Sequence, residues 1–108
     1  MNSVVVVGRT GQDPEVKYFE SGKVKTSFSL AVNRWDPKTK AEVADWFNIE
    51  VWDKQAEFAG EYVKKGRLVV VDGRIGSSKW KDATGAEKER FNVIANNVRL
   101  LGSKKDEA

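Results

Sequence analysis

The sequence contains no cysteine and no histidine. Without cysteine there is neither a disulfide nor a thiolate metal site. Without either residue, the usual zinc ligand sets and the Cys or His nucleophile–base pairs are excluded too. Any catalysis would fall to carboxylates, Ser, Lys or Tyr. No apolar run reaches the length of a membrane-spanning helix. Met1-Asn2-Ser3 leads straight into an apolar stretch, with no basic n-region and no cleavage signal. A cytoplasmic, unprocessed chain is expected. Internal repeats and low-complexity segments are absent.

What is present is 108 residues with a net charge of +3. That length fits one domain able to bury about two-thirds of its unfolded surface. The mild basic excess is compatible with a polyanionic partner without specifying one.

Period-2 alternation dominates the chain. Val4 to Val7 is an all-β-branched run, expected to be buried on both faces or covered by a partner. The loop Gly8 to Pro14 has two glycines but no Gly-Lys-Ser/Thr ending and no following helix, which argues against a phosphate loop. Val16 to Phe19 reads as a short strand, followed by a tight turn at Glu20 to Lys23. Val24 to Trp35 is a long strand with Thr26, Phe28, Leu30 and Val32 on one face. Asp36 to Ala44, with Pro37, reads as a flexible hairpin loop.

In Asp45 to Asp53, Phe47, Ile49 and Val51 share one face, expected to hold a core or a subunit interface. Trp46, Asn48, Glu50 and Trp52 share the other. Lys54 to Lys65 is the one convincing helix, with Asp53 as N-cap and Gly66 as C′ residue. Its expected apolar stripe is Phe58, Ala59, Tyr62 and Val63. Lys64 and Lys65 would suit the last turn of the helix dipole. Arg67 to Lys81 is a strand with Val69, Val71 and Ile75 inward, and Asp82 to Ala86 is a hairpin tip. Phe91 to Leu101 changes apolar phase, from Phe91, Val93 and Ala95 to Val98 and Leu100. That shift predicts a bulge near Asn96-Asn97.

The order of strands around one helix specifies an all-β chain. It fits an OB-fold, a five-stranded Greek-key barrel with one α-helix between the third and fourth strands. Residues 1–102 form the expected domain and 103–108 a short polar tail.

All four tryptophans, Trp35, Trp46, Trp52 and Trp80, fall out of phase with the apolar side of their strands. Cations sit beside them: Arg34 next to Trp35, Lys54 two after Trp52, Lys79 and Lys81 flanking Trp80. Arg74 shares its parity with Trp80. Indoles stack on exposed bases for roughly 1–3 kcal/mol each while cations follow the phosphates, and a duplex hides its base faces. Single-stranded nucleic acid therefore fits this pattern. So do tryptophans buried in a protein partner, barrel-core tryptophans misphased by a bulge, and a carbohydrate ligand. Lys23, Lys38, Lys40, Lys88, Lys104 and Lys105 read as solvated surface. The carboxylates assemble no catalytic or metal-binding set, since Glu50 alone shares the Trp face. No enzymatic role, metal or cofactor is expected.

Several segments resemble bacterial single-stranded DNA-binding proteins, their cyanobacterial forms above all. They are Val-Val-Val-Val-Gly-Arg-Thr-Gly-Gln-Asp-Pro-Glu-Val-Lys-Tyr (4–18), Phe-Ser-Leu-Ala-Val-Asn-Arg-Trp (28–35) and Asp-Trp-Phe-Asn-Ile-Glu-Val-Trp-Asp-Lys-Gln-Ala-Glu (45–57). Tyr-Val-Lys-Lys-Gly (62–66), Gly-Arg-Ile (73–75) and Lys-Trp-Lys-Asp (79–82) complete the match. The resemblance implies an OB-fold homotetramer that wraps single-stranded DNA without strong sequence preference, in replication, recombination and repair at the nucleoid. It implies base stacking on Trp35, Trp46, Trp52 and Trp80, and backbone contacts from Lys17, Lys54, Lys64, Lys65 and Lys79. It also implies dimer formation through the strand Ser3 to Arg9.

Two features depart from the family pattern. Ser78 and Gly76 stand where many members have arginines, so fewer phosphate contacts and a shallower salt slope are expected. The sequence ends at Ser103 to Ala108 without the family's acidic tip. Recruitment of repair and replication proteins through such a tip is not expected. An OB-fold protein-interaction module and a single-stranded RNA binder are the alternative functions.

Overall fold

The computed structural model describes residues 1–102, so the 103–108 tail lies outside the described residues. The elements run β1 (Val4–Thr10), β2 (Glu15–Tyr18), β3 (Val24–Asp36), β4 (Ala41–Trp52), α1 (Lys54–Tyr62), β5 (Leu68–Lys81) and β6 (Glu87–Leu100). The strands form one sheet in the order β1-β5-β6-β4-β3-β2, and β1 also pairs with β3. That last pairing closes five strands into a barrel, with β2 added along the edge of β3. The β4–β6 ladder is parallel and short, holding Ile49 opposite Val93 and Glu50 opposite Ile94. This is the expected OB-fold, with its helix between the third and fourth barrel strands.

The core follows strand parity. Val6, Phe28, Leu30, Ile49, Val51, Val69, Val71, Val93 and Val98 fill the barrel, and Ala59 and Val63 close one end. Closure requires a very close approach where β1 crosses β3: a Cβ on Gly8 would lie 2.4 Å from the Ala31 carbonyl oxygen. Buried Thr10 then holds the chain leaving the helix. Its hydroxyl donates to the Lys64 carbonyl and accepts from the Arg67 amide, 3.1 Å away. Thr26, also fully buried, donates its hydroxyl to the Ala56 carbonyl and so ties α1 to β3.

The predicted bulge is present. Asp72 faces Asn97 while Gly73 faces Ala95, which leaves Asn96 as the extra residue of β6. The groups freed there are taken by one helical side chain. Gln55 donates from Nε2 to the Asn96 carbonyl (2.6 Å) and accepts from the Val98 amide at Oε1 (3.0 Å).

Several expectations are corrected. The helix ends at Tyr62 with Val63 as C-cap, not at Lys65, so Lys64 and Lys65 lie beyond its last turn. Gly66 has φ 82°, but it serves the following turn, donating its N–H to Thr10 O. Asp53 occupies the N-cap position without a side-chain cap bond. Phe58 and Tyr62 face outward, packed on each other at 5.1 Å, and Ala56 joins Ala59 and Val63 inside instead. α1 lies close to β3, where the Ala56 carbonyl takes the Thr26 hydroxyl, and the small side chains of Ala56 and Ala59 are the ones buried within the helix.

The expected loop 36–44 is a tight turn. β3 and β4 pair without interruption up to Asp36 opposite Ala41. The Asp36 carboxylate accepts from the Lys38 amide at 3.0 Å and the Thr39 hydroxyl at 3.2 Å. Ile75 and Phe91 have inward parity yet are exposed, because the β5–β6 hairpin runs on past its last pairings with β1 at Gly73 and with β4 at Val93. Val4 to Val7 alternates: Val6 is buried and Val5 and Val7 are exposed, so the run is not buried on both faces.

Gln55→Ala leaves the Val98 amide unpaired at the bulge, and a cost of about 1–3 kcal/mol in urea unfolding is expected. An unchanged midpoint would show that water replaces the Gln55 contacts.

Candidate nucleic-acid interface

The polar face of the β3–β4 ribbon carries three of the four tryptophans. Register sets this arrangement. Lys25 lies opposite Trp52, Ser27 opposite Glu50, Ser29 opposite Asn48, Ala31 opposite Trp46 and Trp35 opposite Glu42. Directly opposed antiparallel residues share a face, so Trp52, Trp46 and Trp35 line one side of one ribbon. At about 3.4 Å per residue, Trp46 lies ~20 Å from Trp52 and Trp35 a further ~13 Å on. Trp35 and Trp46 are 60% and 59% exposed and Trp80 46%. None of the four is core, which removes the reading of misphased barrel tryptophans.

Each indole is held differently. Trp46 lies over Gly11, where a Cβ would come within 2.5 Å of the ring. Trp52 is half-buried because Phe19 stacks on it, with centroids 5.7 Å apart and planes 19° from parallel. The Lys17 ammonium lies 5.0 Å from the Phe19 ring and that of Lys25 lies 5.7 Å from Trp52. Lys17, Phe19, Trp52 and Lys25 thus form a cation–ring–ring–cation column. One face of Trp52 is already occupied by Phe19, so it offers a ligand less ring than expected.

Trp80 stands on the hairpin, which projects beside the ribbon. Between them is a cleft of about 580 Å³, floored by Ser27, Ser29, Asn48 and Glu50 and walled by Trp80, Arg90 and Asn92. The hairpin tip is well defined. The Thr84 hydroxyl and three amides of the turn hold the Asp82 carboxyl below the ordinary carboxylate range. Gly85 supplies the positive φ that the turn requires.

Of the residues predicted to bind, Trp80 lines this cleft and Trp46 lines a smaller apolar one with Val4, Phe47, Ile75 and Phe91. Arg34 pairs with Asp45 at 2.7 Å on the exposed hairpin. Lys79 pairs with Glu89 at 3.9 Å on the hairpin face opposite Trp80. Lys54 is exposed at the start of α1. Lys64 and Lys65 lie on the loop after α1, where the Lys65 amide donates to Asp13. Arg74 is exposed on the face of Trp80, but six residues, or ~20 Å, along β5 from it.

Sequence reading missed Phe19, Lys25 and Arg90. Arg90 faces Ser78 across the hairpin, with its guanidinium carbon 6.0 Å from the Trp80 ring. Lys88, read as plain surface, lies opposite Trp80. Turn register was the missing signal, because a tip at 82–86 pairs 80 with 88 and 78 with 90. Among the described residues no group of Asp or Glu is arranged to hold a metal ion. No helix among them is long and apolar enough to cross a membrane.

Comparison with known proteins agrees with this geometry. The model of the Single-strand binding protein family matches residues 1–101. A relative from Synechocystis sp., named Single-stranded DNA-binding protein 1, is 50% identical over 109 aligned positions, covering all of this chain and 89% of the relative. A single-stranded DNA-binding protein of Neisseria meningitidis is 38% identical, covering 98% of this chain and 63% of its own. Among solved structures, that described as Plasmodium falciparum SSB complex with ssDNA superposes with a TM-score of 0.84. It is 28% identical and covers 94% of this chain and 96% of that one. With tryptophans and cations arrayed on an OB barrel and a family match along nearly its whole length, this chain belongs to the Single-strand binding protein family.

Proposed function

We propose that this protein binds single-stranded DNA without sequence preference, protecting exposed strands in replication, recombination and repair. The observation that carries this reading is the alignment of Trp52, Trp46 and Trp35 on one ribbon, with Trp80 across a cleft from it. Indoles spaced this way stack on any base, and the cations between them meet a continuous phosphate backbone. The site holds a ligand and performs no chemistry on it. The proposed contacts are Trp35, Trp46, Trp52 and Trp80, with Lys17, Arg34, Lys54, Lys64, Lys65, Arg74 and Lys79 along the backbone. A cytoplasmic, nucleoid-associated location follows from such a ligand.

A homotetramer is part of the same reading. Val4 to Gly8 pairs with β5 on one side only, since β3 meets β1 just at Arg9 and Thr10. The other edge of β1 is open, and Val5 and Val7 beside it are 65% and 45% exposed. Phe47, Ile75 and Phe91 add an apolar cleft of about 260 Å³ that also touches Val4. An open edge flanked by β-branched and aromatic side chains is suited to pairing with a second copy.

Titrating poly-dT into the protein at several salt concentrations is expected to quench Trp fluorescence, with an affinity that falls as salt rises. An unquenched signal at low salt would favour a protein-interaction module, and equal affinity for poly-U would favour a general single-strand binder. Trp46→Ala or Trp80→Ala should each cost roughly 1–3 kcal/mol of binding at unchanged melting temperature. Gly11→Ala, which touches no ligand, should displace Trp46 and weaken binding as well; wild-type affinity in that variant would count against a fixed Trp46 platform. In light scattering the wild-type protein should show the mass of four chains, and Val5→Asp combined with Val7→Asp should lower it. A wild-type monomer at micromolar concentration would remove the tetramer.

A further inference from the structure

Two cations of the β5–β6 hairpin are held in ion pairs near its tip. Lys79 pairs with Glu89 at 3.9 Å, and Lys88 with Asp82 at 3.9 Å. Arg90, one register step further from the tip than Lys79–Glu89, makes no ion pair among the described residues. Of the hairpin cations without one (Arg74, Lys81, Arg90 and Arg99), Arg90 is the one set beside the Trp80 ring. Its register partner is Ser78, so Ser78, Trp80, Lys88 and Arg90 share one face of the hairpin. The guanidinium carbon lies 6.0 Å from the centroid of Trp80. Ser78, Trp80 and Arg90 together form one wall of the larger cleft. Across that cleft Glu50 is engaged by Lys25 at 3.9 Å, and Glu15 is the other carboxylate on its lining.

A guanidinium near an indole keeps N–H donors available in its own plane, where they match the fork of two phosphate oxygens. A base stacked on Trp80 would bring its own phosphodiester to this spot. We propose that Arg90 is a phosphate-binding residue for single-stranded DNA, gripping the phosphodiester of the nucleotide stacked on Trp80. The proposal rests on the single-stranded DNA reading. It adds a charged contact on β6 to those proposed for Arg74 and Lys79 on β5.

One phosphate contact adds about 0.7 to the slope of log affinity against log salt for a single strand. The test is a poly-dT titration followed by Trp fluorescence over a tenfold range of salt, with wild type, Arg90→Gln, Arg90→Lys and the double variant Arg90→Gln with Ser78→Arg. Arg90 and Ser78 are exposed, so all four proteins should fold, and a melting curve checks it. Arg90→Gln should lose about 0.7 of slope, equal to about a fivefold smaller change in affinity over that range. Arg90→Lys should keep the slope, because the charge is retained. The double variant should regain it, because an arginine at 78 reaches the same space from the facing strand. A wild-type slope in Arg90→Gln would overturn the assignment while leaving the DNA reading intact. A loss in Arg90→Lys as large as in Arg90→Gln would overturn it equally. A wild-type protein that shows no quenching would remove the DNA reading and this one together.

Discussion

The register of β3 against β4 is the constraint on which the structure depends. Twelve successive pairs run from Lys25–Trp52 to Asp36–Ala41. The inner pairs Thr26–Val51, Phe28–Ile49 and Leu30–Phe47 lie toward the core, and the outer pairs carry the tryptophans. A slip of β4 by one residue would turn its side chains over, putting Trp46 and Trp52 inside and Ile49 and Val51 in water. Two devices prevent it. Burial of Leu30, Ile49 and Val51 fixes the inner face. The Asp36 carboxylate fixes the turn by accepting from Lys38 and Thr39. The same contacts that stabilise the barrel therefore set the spacing of the proposed platforms.

The charges around these platforms are arranged loosely. Lys25 meets Glu50 at 3.9 Å and Lys79 meets Glu89 at 3.9 Å, while the shorter Arg34–Asp45 pair is well exposed. Exposed pairs of this kind are worth little, with a median of about 0–1 kcal/mol. Exchanging such a carboxylate for a phosphate therefore costs little, and the phosphate brings released counterions as the driving force. A modest net charge of +3 is compatible with binding a polyanion for this reason. What counts is where cations stand relative to the rings, as in the column from Lys17 through Phe19 and Trp52 to Lys25.

Local alternation made much of this legible in the sequence. The parity of β3 and β4, the exposure of Trp35, Trp46 and Trp80, the hairpin tip and the bulge at Asn96 all follow from neighbouring residues. Features that depend on distant partners did not. Ile75 and Phe91 have core parity, but their strands outrun the barrel. Phe58 and Tyr62 have the right helical spacing, but the side chains buried within the helix are those of Ala56 and Ala59. The Phe19–Trp52 stack joins residues 33 positions apart in the sequence, and Gln55 reaches a bulge more than 40 positions away. Arg90 escaped notice because it is a neighbour of Trp80 only across the hairpin.

Spacing also bears on sequence tolerance. Tryptophans ~13 and ~20 Å apart along a strand ribbon are much farther apart than bases stacked on one another, at about 3.4 Å per nucleotide. A strand lying on this surface can be pinned by rings at only a few of its bases. Those in between are free to splay or restack, so the ladder demands no particular base at any point. Gln12, Asn48 and Asn92, on the lining of the cleft, are amides with both a donor and an acceptor to offer a base edge. Against rings proposed to accept any base, three amides give little discrimination, and a barrel whose register fixes those rings is suited to binding that ignores sequence.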